Sequence, residues 1–160
     1  MSKLRMPRAV WQAIRAHGEE TYPNECCGAL LGTSTPHGWQ VSSAVRAGNT
    51  RTDSAHNRYS IAPAELVRIE RQARQQQHEI AGFYHSHPDH PAQWSATDFA
   101  EAHWIGCSYA ITAVYKGCAT VTNSFLLAGA TEEDKRFQWQ QIVVEEDAPR
   151  HEESIAGRPG

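Results

Sequence analysis

The chain has 160 residues, 40% of them hydrophobic, and 15 Lys and Arg against 18 Asp and Glu give a formal net charge of −3. At about 150 residues per domain this is one domain, too apolar to be disordered and long enough to hold a core without disulfides or a structural metal. Any metal is therefore expected to serve chemistry. No Lys/Arg cluster supports a nucleic-acid partner, and no apolar run approaches the roughly 20 residues that span a bilayer.

The opening Met1 to Pro7 lacks the apolar core of a signal peptide, so a cytoplasmic location is expected. Cys26, Cys27, Cys107 and Cys118 form no C-x-x-C pair and read as reduced thiols. Nine His are the one compositional excess.

In chain order, Pro7 sits where a first-turn proline belongs, and Val10, Trp11 and Ile14 recur at helical spacing up to Gly18. Ala29 to Gly32 and Trp39 to Val45 read as a hairpin around a Thr-Ser-Thr-Pro-His-Gly turn. Pro63 opens a second helix with Leu66, Ile69 and Ala73 on one face. Ile80 to Tyr84 is a short strand, followed by a loop rich in His and Pro and by a helix headed by Ser95. Tyr109 to Tyr115 and Ala119 to Leu127 form another hairpin across Lys116-Gly117, and Phe137 to Val144 is a last strand. Helices before and after a sheet with hairpins give a single α/β domain, a mixed sheet flanked by helices, over residues 1–145. The polar run 146–160 is expected to be a frayed tail.

The chemistry lies in Gly82 to Asp98. On extended backbone, side chains two apart point the same way, so His85 and His87 can meet one cation. Asp98 enters from the first turn of the following helix. Two imidazoles and a carboxylate bind zinc and leave the fourth position to water, as catalytic sites do. Each part has a plainer reading: a His-x-His pair as surface polarity, Ser95-x-x-Asp98 as a helix N-cap with an acidic first turn. Their joint occurrence decides, because this composition gives on the order of one chance match in a thousand to H-x-H-x7-S-x-x-D. Cap and ligand roles can coexist.

His85-Ser86-His87, Ser95 and Asp98, with Glu25 upstream in Pro23 to Gly32, resemble the JAMM metalloprotease family, its catalytically competent MPN-plus branch. Asn49 through Pro63 resembles its small bacterial members, so the likeness covers roughly residues 5 to 127; Trp94 stands where Pro is common before the Ser. The resemblance implies an MPN/JAMM fold with cytidine-deaminase-like layering and one Zn(2+) per chain on His85, His87 and Asp98. Glu25 would be the general base, and Ser95 would hydrogen-bond near the bound water or oxyanion. Without the motif Glu25 reads as a solvated strand-edge acid. Cys26 and Cys27 read as small apolar groups, His90 and His103 as surface or supporting histidines, Tyr84 and Trp94 as packing or pocket wall.

A zinc nucleoside deaminase needs H-x-E followed by P-C-x-x-C; His17-Gly18-Glu19 is present, but Pro23-Asn24-Glu25-Cys26-Cys27 breaks the second half. H-E-x-x-H is absent. An inactive MPN scaffold typically lacks ligands, and this chain keeps every one. The implied activity is hydrolysis of the bond after the C-terminal Gly-Gly of a ubiquitin-like sulfur-carrier protein, with removal of a ubiquitin-like modifier from lysine as the alternative. The segment from Asn49 to Tyr59 is too short for an insertion that grips a second ubiquitin, so a single ubiquitin-like partner is expected. A diglycine tail can lie flat beside a metal and add as a strand to a sheet edge. The sequence sets no oligomeric state.

Overall fold

The computed structural model describes residues 2–49 and 60–146. The run from Asn49 to Tyr59, apart from Asn49 itself, and the tail beyond residue 146 lie outside the described residues, as do the expectations attached to them.

In chain order the elements are β1 (Lys3–Pro7), α1 (Arg8–Thr21), β2 (Cys27–Thr35), β3 (Gly38–Ala47), α2 (Pro63–Gln75), β4 (Glu79–Pro88), α3 (Ala96–Glu101), β5 (Ser108–Tyr115), β6 (Cys118–Ala128) and β7 (Arg136–Glu145). The strands follow the order β1-β3-β2-β4-β5-β6-β7 and close through parallel pairing of β1 with β7. The sheet is mixed, as expected: β1–β3 and β4–β5 are also parallel, and the remaining neighbours are antiparallel.

Alternation along the strands sorts the core into two sides. Leu30 of β2 and Tyr84 of β4 pack with Val10 and Ile14 of α1 and with Leu4 and Met6 of β1. Their neighbours Ala29, Leu31 and Phe83 point the other way and pack with Ile69 and Ala73 of α2. The sheet is therefore flanked by α1 on one face and by α2 on the other. His85 and His87 share the parity of Phe83, which puts them on the α2 side.

Three features differ from the sequence reading. Strand β1 was not foreseen: five residues give little pattern, and its partners Gly38 to Gln40 and Gln141 to Glu145 are remote in sequence. Helix α1 continues past Gly18 to Thr21; a Cβ at Gly18 would stand 3.1 Å from Val114 and 3.2 Å from Ser86, so the glycine serves close packing of helix on sheet and does not end the helix. The sheet also closes on itself, which the strand pattern alone does not announce; β1 pairs only with Gly38 to Gln40 of β3, so it does not cover the edge of β3 over Val41 to Ala47. The β5–β6 turn is as expected, with positive φ at both Lys116 and Gly117, the backbone of the turn that matches strand twist.

Candidate metal centre

Strand β4 carries His85 and His87 at its C-terminal end, both buried. The chain then turns at Asp89, which has φ 58° and is tied down three ways. Its amide donates to the Val114 carbonyl at 2.7 Å, one carboxylate oxygen accepts the Lys116 amide at 2.9 Å, and the other accepts the Tyr22 hydroxyl at 2.7 Å. The returning loop enters α3 at Ser95. There the Ser95 hydroxyl accepts the Asp98 amide at 3.0 Å and an Asp98 carboxylate oxygen accepts the Ser95 amide at 2.9 Å, a reciprocal capping box. The cap fixes the carboxylate of the first turn and aims it back at β4.

Three side chains converge there. The two Nε2 atoms of His85 and His87 are 3.1 Å apart, and Asp98 brings Oδ1 to 3.3 Å from the first and Oδ2 to 3.1 Å from the second. The Pro91 carbonyl accepts from His87 Nδ1 at 2.9 Å, so in the neutral ring Nε2 is the lone-pair nitrogen. Lone pairs of two imidazoles and a carboxylate facing one another at these distances need a proton or a cation between them. Glu25, just before β2, completes the group: one of its carboxylate oxygens and a nitrogen from each of His85 and His87 lie within 4.8 Å of one another.

The electrostatics follow from burial and these contacts. Burial disfavours the charged Asp98, yet hydrogen bonds and charge from His85 and His87 outweigh it and hold the carboxyl far below its ordinary value. Burial lowers His85. His87 is also penalised by burial, but Asp98 overcomes this and raises it. Glu25 is pushed up to about 8, chiefly by burial, with His87 opposing and Asp98 and Glu101 adding to the shift. It is 4% exposed, and its Oε1 is buried without a hydrogen-bond partner among the described residues. A buried carboxylate with an unmet acceptor, next to a converging donor set, fits a centre completed by a cation and water.

A cavity of about 390 Å³ opens onto this cluster, bordered by Glu25, His87, Trp94 and Ser95. Of the five residues singled out from the sequence, Glu25, His87 and Ser95 border the cavity, and His85 and Asp98 meet His87 beside it. The family described as prokaryotic homologs of the JAB domain matches residues 7–128. The chain belongs to the prokaryotic JAB-domain family. A desampylase of Haloferax volcanii is 32% identical over 114 residues, which cover 69% of this chain and 80% of that protein. A Desulfitobacterium hafniense protein solved in solution superposes with a TM-score of 0.78 at 25% identity, covering 92% of this chain and 97% of its own. A Salinibacter ruber protein gives 0.66 at 36% identity, covering 91% and 92%.

In this JAB domain the sequence reading missed Ser86. It is fully buried on the α1 side of β4, and its hydroxyl accepts the Cys26 amide at 2.8 Å. A serine between two ligand-type histidines must point to the opposite face, and a buried hydroxyl there needs a partner; that was the available signal. Tyr84 packs as expected, and its hydroxyl meets His17 Nδ1 at 2.7 Å. His103 lies on the surface against Glu132, and His90 borders the cavity. The four cysteines are free. Among the described residues no helix is long and apolar enough to cross a membrane.

Proposed function

We propose that this JAB-domain protein is a zinc-dependent metallopeptidase that hydrolyses the bond following the C-terminal Gly-Gly of a small ubiquitin-like sulfur-carrier protein in the cytoplasm, with residues 1–145 as the catalytic unit. The observation that carries the reading is the convergence of His85, His87 and Asp98 beside a buried, unpartnered Glu25 oxygen. In this reading His85, His87 and Asp98 hold one zinc ion. When bound, the ion supplies Lewis acidity at the scissile carbonyl and acidifies water towards neutrality.

The chain's own residues do the rest. Glu25 takes a proton from the attacking water and returns it to the departing amine. Its carboxyl, pushed up to about 8 by burial, falls back towards working pH when positive charge is held beside it. Ser95 Oγ accepts the cap bond from Asp98 and keeps its own O–H free to donate towards an oxyanion in the cavity. The Pro91 carbonyl keeps the His87 ring in one tautomer and orientation. The diglycine lies in the cavity between Glu25 and Ser95, where residues without Cβ can approach the centre closely.

The likeness to a desampylase favours a second reading, in which the bond cut after Gly-Gly is an isopeptide bond to lysine. Mass spectrometry separates the two. Gly-Gly-ended carriers with short C-terminal extensions and the same carriers conjugated to lysine are incubated with the zinc-loaded protein. Trimming of the linear extensions supports the first reading, and cleavage of conjugates alone supports the second and rejects the first.

A further inference from the structure

Trp94 is 42% exposed although its ring lies against two others, Phe99 at 5.6 Å and Phe137 at 5.5 Å between centroids. Phe137 is backed in turn by Tyr109 at 5.5 Å. The indole is thus packed against two rings while much of its surface stays exposed. An aromatic face fixed in this way offers apolar contact area with little further loss of rotamer freedom. Trp94 borders the cavity that Glu25, His87 and Ser95 also line. The reaction described above makes no use of it, and a diglycine has no side chain to meet it.

Resting on that proposed function, we propose that Trp94 is the specificity-determining wall for the leaving group, and that its exposed ring takes the apolar carbon chain carrying the scissile nitrogen. Hydrolysis breaks the C–N bond, adds the water's hydroxyl to the glycine carbonyl carbon and delivers its proton through Glu25 to the departing amine. The amine must therefore leave within reach of Glu25. Glu25 borders a further cavity too, but the one it shares with Trp94 also holds His87 and Ser95, which the other does not; the cavity over Leu66, Phe83 and Tyr109 is not bordered by Glu25. The carbon chain has two sources: the side chain of the residue after the diglycine in a linear extension, or the methylenes of a lysine in an isopeptide.

Two substrate series test this. One is linear, Gly-Gly followed by Leu, Gly or Asp; the other joins Gly-Gly to the side-chain amine of lysine or of the shorter diaminopropionate. Both are measured as kcat/KM on zinc-loaded wild type, Trp94→Ala and Trp94→Phe, and as binding to each of these carrying Glu25→Gln. Wild type should favour Leu over Gly, or lysine over diaminopropionate, roughly tenfold through KM, and the series showing the preference identifies the source. Trp94→Ala should bring the ratio to about one, and Trp94→Phe, which keeps the ring stack, should retain most of it. An equal preference in Trp94→Ala and wild type, or Glu25→Gln protein that binds all substrates alike or not at all, overturns the assignment. If wild type cleaves nothing but the Glu25→Gln protein keeps a Trp94-dependent binding preference, the assignment stands and the proposed reaction is what fails.

Discussion

Ser86 and Cys26 are joined twice: the Ser86 hydroxyl accepts the Cys26 amide at 2.8 Å, and the Ser86 amide donates to the Cys26 carbonyl at 3.3 Å. The residue between the two histidines is thereby fastened to the residue that follows Glu25. These contacts set the distance between the donor cluster and the carboxylate across 60 residues of sequence. Ser86→Ala should leave the buried Cys26 N–H without its hydroxyl partner at a cost of about 1–3 kcal/mol. It should lower kcat while zinc content is unchanged. Thermal melts, metal analysis and turnover on one substrate check this together, and loss of zinc in parallel with rate would show that the clamp holds the donors and not the base.

Glu25→Gln keeps the shape of the side chain and removes only its ability to move a proton. Turnover should fall roughly 10²–10⁴-fold with little change in KM. Single-turnover kinetics on a cleavable Gly-Gly substrate measure it, and near-full activity would take the base role away from Glu25.

The same substitution has a pH signature in chelator-treated protein. Burial raises Glu25 from 4.5 to about 8, so the folded state holds this proton more tightly than the unfolded chain does. The stability that Glu25 contributes is full below its unfolded value near 4.5 and is lost as pH rises through about 8. Glu25→Gln should therefore match wild type near pH 4 and exceed it by roughly 3–5 kcal/mol above pH 8. His85 is present in both proteins; His87 is coupled to Glu25 and loses that charge in the variant, an effect smaller than the burial that dominates the Glu25 shift. Urea melts across this range give the difference, and a constant gap between the proteins would contradict the buried carboxyl.

Removing metal should leave the fold intact, because the two core clusters on either side of the sheet contain none of the four cluster residues and a domain of this length holds its own core. Far-ultraviolet circular dichroism of the chelated protein should keep its mixed helix and strand spectrum. A random-coil spectrum would contradict this.

Much of the site was legible because it is local. The two-residue spacing of His85 and His87 fixes a shared face on any strand, and Ser95 with Asp98 carries its own capping geometry. Lys116-Gly117 likewise announces its turn. Glu25 is different: 60 residues separate it from His85, nothing in its neighbours marks it, and only the family resemblance singled it out. Strand β1 and the closure of the sheet were illegible for a related reason, since Lys3 to Pro7 become a strand only by pairing with Gly38 to Gln40 and with Gln141 to Glu145. Ser86 was hidden by its own motif, in which the histidines drew attention to the opposite face.

In the proposed centre His85, His87 and Asp98 hold a zinc ion while Glu25 stands beside it without being needed to bind it. Metal analysis of purified protein tests this most directly, on wild type, Glu25→Gln and His87→Ala. One zinc per chain is expected in the first two and none in the third. Wild type that takes up no zinc, or His87→Ala that retains it in full, would rule this centre out.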